Sequence, residues 1–335
     1  MLLRTNETIE NKTLNNFLTS HQYLIHDLQI DPTGTILVSS SSDNCLKFYS
    51  NKDSTWKETF TLELEENTNI WKLAWSPSTF GYVIAGVTFQ NEVVIISQAF
   101  ENKKMQWKQQ TTVCSLPDSI QKISFSPDEL GLVLGVADSS GILHIYHAED
   151  PSQPNIWKKH SEIIVANTCL RAFDWGLQPN YPVMIITAAI NRSVKIWKFC
   201  EEGLKWESIF NLGIELEVYD IVWSNFVGRD FHLIAISTEE ALEIWKIEKL
   251  KNNAYQNIEK ERIAYFTQIN DSIWKLGWNE TGNVLASTSN KGIVKLWKAN
   301  LLGNWSCIST ITGNEDEDND DDDEDEDELE FEIGN

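Results

Sequence analysis

The sequence predicts an all-β fold, a β-propeller of six four-stranded blades. Three observations carry this reading. A pattern of short apolar runs separated by turns occurs six times, large aromatic residues recur at fixed positions of that pattern, and the runs alternate apolar with polar residues. The clearest unit is Ile273 to Trp297, which reads IWKLGW, then NETG, VLAST, SNKG and IVKLW. Side chains on a strand point alternately to opposite faces, so such runs bounded by Asn, Gly and Ser read as strands joined by tight turns.

Aligned on their first strand, the six units are IHDLQIDP from Ile25, IWKLAWSP from Ile70, IQKISFSP from Ile120, LRAFDWGL from Leu170, VYDIVWSN from Val218 and IWKLGWNE from Ile273. The sixth position of these strands holds Ile30, Trp75, Phe125, Trp175, Trp223 and Trp278, at spacings of 45, 50, 50, 48 and 55 residues. A second column closes the third strand with Tyr49, Ile96, Tyr146, Trp197, Trp245 and Trp297, and a third opens the fourth strand with Trp56, Trp107, Trp157, Trp206 and Trp305. With Trp71 and Trp274 at one shared position of the first strand, all 14 tryptophans fall in register. Radially packed sheets bury both faces against their neighbours and need such bulk, and four strands with a closing Trp mark a WD40-type propeller. The repeats are divergent: Lys198, Lys246 and Lys298 stand where an Asp usually follows the closing Trp. The polar stretch from Glu248 to Arg262 lengthens the fifth unit.

This count divides the chain into an N-terminal extension of residues 1–20, a six-repeat propeller of residues 21–313 and an acidic tail of residues 314–335. The extension holds one short candidate strand, Thr13 to Ser20, too little for a blade. No seventh repeat follows, and Trp305 to Ile311 already gives the sixth unit its fourth strand. The ring is therefore expected to be open or completed by something else. The tail carries fifteen acidic residues between Glu315 and Glu332, so that the net charge of −23 falls to −8 without it. Like charges repel and offer no apolar surface, so the tail is expected to be disordered, as a solvating segment or as a hook for basic import receptors or histones.

The remaining composition excludes several classes of function. No basic stripe is visible, which argues against direct nucleic-acid binding. The N-terminus lacks the apolar core of a signal peptide and no run approaches a membrane span, so no membrane insertion is expected. Five cysteines without CxxC spacing read as reduced thiols. His144 and His147, three apart on a strand, point to opposite faces and make no metal pair. Neither a nucleophile motif nor a glycine-rich phosphate loop is present; Asp138 to Gly141 reads as a hairpin turn. The expectation is a non-enzyme with no cofactor and no metal. One variable ring stands out at the second position of each first strand: His26, Trp71, Gln121, Arg171, Tyr219 and Trp274. Aromatics and Arg anchor interfaces, so this ring either binds a peptide at the mouth of the central channel or lines a wet opening.

Phe125 to Trp157 and Trp278 to Ala299 closely resemble repeats of the Sec-thirteen-homologue nucleoporins, the small propellers of the Y-shaped nuclear pore scaffold complex. The resemblance extends over residues 21–313. It implies an open six-bladed ring completed in trans by a blade from an α-solenoid nucleoporin, with other Y-complex subunits as further partners and the nuclear envelope as location. It also implies a second role in a vacuolar or lysosomal coat-like complex that relays amino-acid status to the TOR kinase. The flanks of such a gap would include Ile25, Leu28 and Ile30 of the first unit with Leu276, Trp278 and Leu285 of the last. Ile96 in place of a closing aromatic, the acidic tail and the long N-terminus depart from the family pattern. Two alternatives stand beside this reading: a vesicle-coat propeller of the Sec-thirteen type, and a closed peptide-binding WD40 adaptor.

A segment without apolar surface contributes no packing. Deleting residues 315–335 is expected to leave the melting temperature within a few degrees and any complex intact, as read by thermal denaturation and co-purification.

Overall fold

The computed structural model describes residues 19–52, 55–65, 68–101, 104–176, 183–200, 203, 205–225, 228–229, 231–248, 259–267 and 271–312. The acidic tail and most of the N-terminal extension, including the candidate strand at Thr13, lie outside the described residues. The rest forms six four-stranded antiparallel sheets, each in simple chain order. Blade one holds β1 (Ile25–Ile30), β2 (Ile36–Ser41), β3 (Cys45–Lys52) and β4 (Thr55–Glu63); blade two holds β5 (Ile70–Trp75), β6 (Val83–Thr88), β7 (Glu92–Glu101) and β8 (Lys104–Ser115). Blade three has β9 (Ile120–Phe125), β10 (Val133–Asp138), β11 (Ile142–Ala148) and β12 (Trp157–Ile164); blade four has β13 (Leu170–Gly176), β14 (Met184–Ala189), β15 (Val194–Cys200) and β16 (Lys205–Asn211). Blade five runs through β17 (Val218–Trp223), β18 (Phe231–Thr238), β19 (Ala241–Glu248) and β20 (Lys260–Thr267), and blade six through β21 (Ile273–Trp278), β22 (Val284–Ser289), β23 (Val294–Ala299) and β24 (Trp305–Ile311). The chain is an all-β, six-bladed WD40-type propeller.

The turns form where the sequence offers residues that tolerate a left-handed backbone. Asn44 and Asn91 have φ of 60° and 61° between the second and third strands of blades one and two. In blade three the Asp138 carboxylate accepts N–H bonds from Ser140 at 3.0 Å and Ile142 at 2.9 Å, which fixes the hairpin read from the sequence. The same carboxylate lies 2.8 Å from His144 Nε2, so this buried histidine is a structural partner of the turn. In blade five the strand β20 takes up Lys260, Glu261 and Arg262, the last residues of the polar stretch. Lys260, opposite Ile247, occupies the position of the missing tryptophan, its ammonium 4.9 Å from the Phe210 ring centre, while the Arg262 guanidinium lies 4.6 Å from the Tyr265 ring centre and 3.3 Å from Glu243.

Blade-to-blade packing makes the core. Ile70, Leu73 and Ile84 of blade two bury against Val38, Leu46 and Phe48 of blade one. Leu170, Phe173 and Ile185 of blade four bury in the same way against Leu143 and Ile145 of blade three. Thus the first-strand apolar column of each blade faces the blade before it. Gly135 shows how close this contact is: a Cβ there would stand 2.7 Å from the Phe173 ring. Gly277 in β21 has open space instead, with nothing within 4 Å of such a Cβ.

Overpacking a full interface costs about 1–3 kcal/mol. Gly135→Val is therefore expected to lower the urea midpoint by that equivalent, whereas Gly277→Val leaves the isolated chain near wild-type stability.

Candidate functional site

Two sheet faces differ from every other face of the ring. Leu28 of β1 is 44% exposed, while its equivalents Leu73, Ile123, Phe173, Ile221 and Leu276 are between 0% and 7% exposed. Ile30 is 52% exposed and Ile25 half-buried, although Ile70, Ile120, Leu170, Val218 and Ile273 are all buried. On blade six, Ala286, Val294 and Leu296 are half-exposed, although the residues that match Val294 in the other third strands, Leu46, Val93, Leu143, Val194 and Leu242, are buried completely. First strands pack in series from β1 to β5 and onward to β17 against β21, with no comparable packing of β21 on β1. At this junction Lys275 reaches Asp27 at 3.7 Å.

The six flank residues chosen from the sequence divide accordingly. Ile25, Leu28 and Ile30 lie on the face that turns toward blade six. Leu276, Trp278 and Leu285 pack instead with Leu233, Ala235 and Ile244 of blade five. The residues of blade six that do face the junction, Gly277, Ala286, Val294 and Leu296, follow from cross-strand register, which pairs Gly277 with Ala286 and Ala286 with Leu296. The first-strand columns were legible in the sequence; which side each faced was not.

The outer half of the blade-one face is polar and covered from the N-terminal side. His21 Nδ1 lies 2.8 Å from Asp43 and its Nε2 2.6 Å from Ser39 Oγ, while Lys47 Nζ donates to Ser20 Oγ at 2.6 Å. Burial works to raise the Asp43 pKa, but the hydrogen bond and charge of His21 with the N–H groups of Gln22 and Cys45 hold it below the ordinary value. This cluster was not read from the sequence. Its signal was a histidine four residues before β1 with an aspartate in the β2–β3 turn.

The second set of candidates sits at the channel. Each first strand carries a register shift between its first and third residues, and the residue left unpaired is His26, Trp71, Gln121, Arg171, Tyr219 or Trp274. A bulge of this kind re-aims one side chain out of the ladder. All but His26 line a cavity of about 560 Å³ on the axis. Tyr219 stacks on Trp274 with centroids 4.9 Å apart, and Arg171 lies over Tyr219 while bonding Glu217 at 2.6 Å. His26 turns outward to Ser42 Oγ at 2.7 Å and meets the Phe89 ring edge-on. The next residue inward was missed in sequence reading: Asp27, Lys72, Lys122, Asp220 and Lys275 put three lysines and two aspartates around the channel, with Ala172 at the blade-four position. Among the described residues, no group of three or more His, Cys, Asp and Glu is placed to hold a metal, and no helix is long and apolar enough to cross a membrane.

Comparison with known proteins agrees with this architecture. The family model for the WD domain, G-beta repeat, matches residues 12–50 and 261–298. Nucleoporin SEH1 of Homo sapiens is 28% identical over 314 residues, covering 88% of this chain and 87% of that protein. Nucleoporin SEH1-B of Xenopus laevis is 27% identical over 315 residues, at 88% and 87% coverage. Over nearly its whole length the chain is thus similar to proteins named nucleoporin SEH1, and it carries WD-repeat matches at both ends of the ring. Its fold also matches a chain in the crystal structure of the mitotic checkpoint complex, with a TM-score of 0.63 at 12% identity, over 84% of this chain and 76% of that one.

Inside the propeller, aspartates clamp one blade to the next by accepting backbone N–H bonds. Asp27 takes Leu73 at 2.8 Å, Asp174 takes Trp223 at 2.7 Å and Asp220 takes Leu276 at 3.0 Å. Burial pushes the Asp174 carboxyl up to about 6, against the pull of Lys122 and of the Trp223 and Trp175 N–H groups. An acid whose folded pKa lies above its unfolded one takes up a proton on folding between the two values, so its effect on stability worsens as pH rises toward 6 and is constant above. The unfolding free energy of the wild type relative to Asp174→Asn is accordingly expected to fall between pH 5 and about 6, then level off to pH 7.5, as read by urea titration at each pH.

Proposed function

We propose that the chain is a structural, non-catalytic subunit of the nuclear pore scaffold, and that its propeller accepts a β-blade from an α-solenoid nucleoporin between blades six and one. Relatives named nucleoporin SEH1, aligned over nearly the whole chain, support the scaffold role and the nuclear pore location. The observation that carries the finer reading is the column at Leu28, apolar in all six blades and left exposed in one. Exposed apolar sheet faces are a liability unless a partner covers them. Strand addition supplies backbone hydrogen bonds for affinity and side-chain pockets for specificity, and permanent interfaces of this type bury about 2,000–5,000 Å².

Chain phase supports a particular division of the inserted blade. Fourth strands end a few residues before the next first strand: Glu63 before Ile70, Ser115 before Ile120, Ile164 before Leu170, Asn211 before Val218 and Thr267 before Ile273. Thr13 to Ser20 stands in the same place before Ile25, and the first WD-repeat match begins at residue 12. In this reading the chain supplies the fourth strand of the seventh blade and the partner supplies three. Other Y-complex subunits are proposed as further neighbours. A vacuolar or lysosomal role toward the TOR kinase rests on the family resemblance alone, and a vesicle-coat partner of the Sec-thirteen type would use the same two faces.

The test compares two sets of charged substitutions in cells that express the solenoid partner. Leu28→Glu and Leu296→Glu are expected to stay folded and lose the co-purifying solenoid, because a buried unpaired charge costs on the order of 3 kcal/mol or more. Phe125→Glu and Trp175→Glu, inside full interfaces, are expected to unfold the ring. If the first set unfolds as the second does, or retains the solenoid at wild-type yield, the inserted-blade reading fails.

A further inference from the structure

One tryptophan of the second-position ring is left largely unused by the fold. Trp175, Trp223, Trp278 and Trp297 each donate the indole N–H to a partner inside the propeller. Trp274 donates to none of the described residues and is 49% exposed. Its ring stacks on Tyr219 at an interplanar angle of 12°, and the Arg171 guanidinium stands 5.4 Å from the Tyr219 ring centre. The face of the indole turned away from Tyr219 is open. At Trp71, the equivalent residue of blade two, Lys72 Nζ already stands 5.4 Å from the ring centre. An open indole face attracts a cation through the ring quadrupole, and arginine is the commonest partner.

The rim around this ring carries the matching sign. Each turn between a second and a third strand is tied to the residue just before the first strand of its blade: Glu239 N–H donates to the Glu217 carbonyl at 3.1 Å and Asn290 N–H to the Ser272 carbonyl at 2.9 Å. These turns, and the connections into the first strands, therefore stand beside the second-position residues. In blade five they hold Glu215, Glu217, Glu239 and Glu240. Arg171 pairs with Glu217, while Glu215, Glu239 and Glu240 are exposed with no cation at ion-pair distance among the described residues. Elsewhere on the described rim the exposed charges are Glu65, Asp118, Arg192 and Lys291, which cancel. Below the rim Asp27, Asp174 and Asp220 match Lys72, Lys122 and Lys275, so the channel itself is neutral. The excess negative charge of the mouth is that of blade five, next to the open indole.

We propose that blades five and six form a site for an extended basic peptide at the channel mouth, with an arginine guanidinium on the open face of Trp274 and neighbouring basic side chains on Glu215, Glu239 and Glu240. A guanidinium suits the indole because it is flat and more weakly hydrated than an ammonium. The cavity of about 560 Å³ that Trp274 lines, with Gln121 and Arg171 across it, has room for the arginine stem. An acidic ligand is repelled by the same rim. The site lies on the mouth and not on the sheet faces at Leu28 and Leu296, so it does not depend on the inserted blade.

The test uses the full chain and a peptide of alternating Gly and Arg that carries one benzophenone. Cross-links are mapped by mass spectrometry, which separates capture at the mouth from capture on the acidic tail. The peptide concentration that half-saturates the cross-link on blades five and six is expected to rise about fivefold in Trp274→Leu, the upper end for an exposed cation–π contact. It is expected to rise about threefold in the double variant Glu239→Gln, Glu240→Gln, on the scale of exposed ion pairs. The double variant Asp128→Asn, Glu129→Gln removes the same charge from the exposed turn after β9, on the opposite rim, and is expected to leave it unchanged. Cross-links confined to the tail would overturn the proposal. So would an equal rise in the two double variants, or unchanged half-saturation in a Trp274→Leu chain with the wild-type urea midpoint. Should Trp274→Leu lose that midpoint, the two double variants decide.

Discussion

A sheet that is apolar on both faces must be covered on both, and this constraint governs the molecule. Each blade covers one face of the next, so six blades in a row satisfy ten faces and leave two. Inside the row the fit is tight enough that Gly135 has no room for a methyl group against Phe173, and the Leu73, Ile123, Phe173 and Ile221 column is out of water. At the two ends the same residue types meet solvent. Leu28 and Leu296 are not weaker members of the pattern; they are ordinary members without a neighbour.

The channel solves a different problem. First strands converge there, and a backbone N–H facing the axis needs an acceptor that the neighbouring strand does not provide. Asp27, Asp174 and Asp220 supply it, each reaching across to the next blade. Burying three carboxylates then calls for positive charge, which Lys122 and Lys275 provide. The same inner ring therefore locks the blades together and leaves the axis lined with charge and aromatic surface, with a bulge in every first strand re-aiming one side chain, toward the opening in all but the first blade.

Across the junction, the covering on the blade-one side is uneven. Its outer part is closed by the His21, Ser39 and Asp43 hydrogen bonds and by Ser20 on Lys47, while the inner part, at Leu28 and Ile30, is bare. The face is therefore polar and tied down at its rim and apolar toward the axis.

Much of this was legible in the residues themselves. The period, the tryptophan columns and the turn chemistry at Asn44, Asn91 and Asp138 fixed six blades and their strands, because strand alternation and tight turns are local properties. The second-position ring could also be named, since its residues break the apolar pattern at one place in every unit. What the sequence could not decide was direction. Leu28 and Leu276 occupy the same position of the same motif, yet one faces the junction and the other packs on blade five. The bulge that frees Trp71 and Trp274 and the pairing of Lys122 with an aspartate two blades away likewise depend on which strands meet. Those are relations between residues far apart in the chain, and only the arrangement of the blades around the axis sets them.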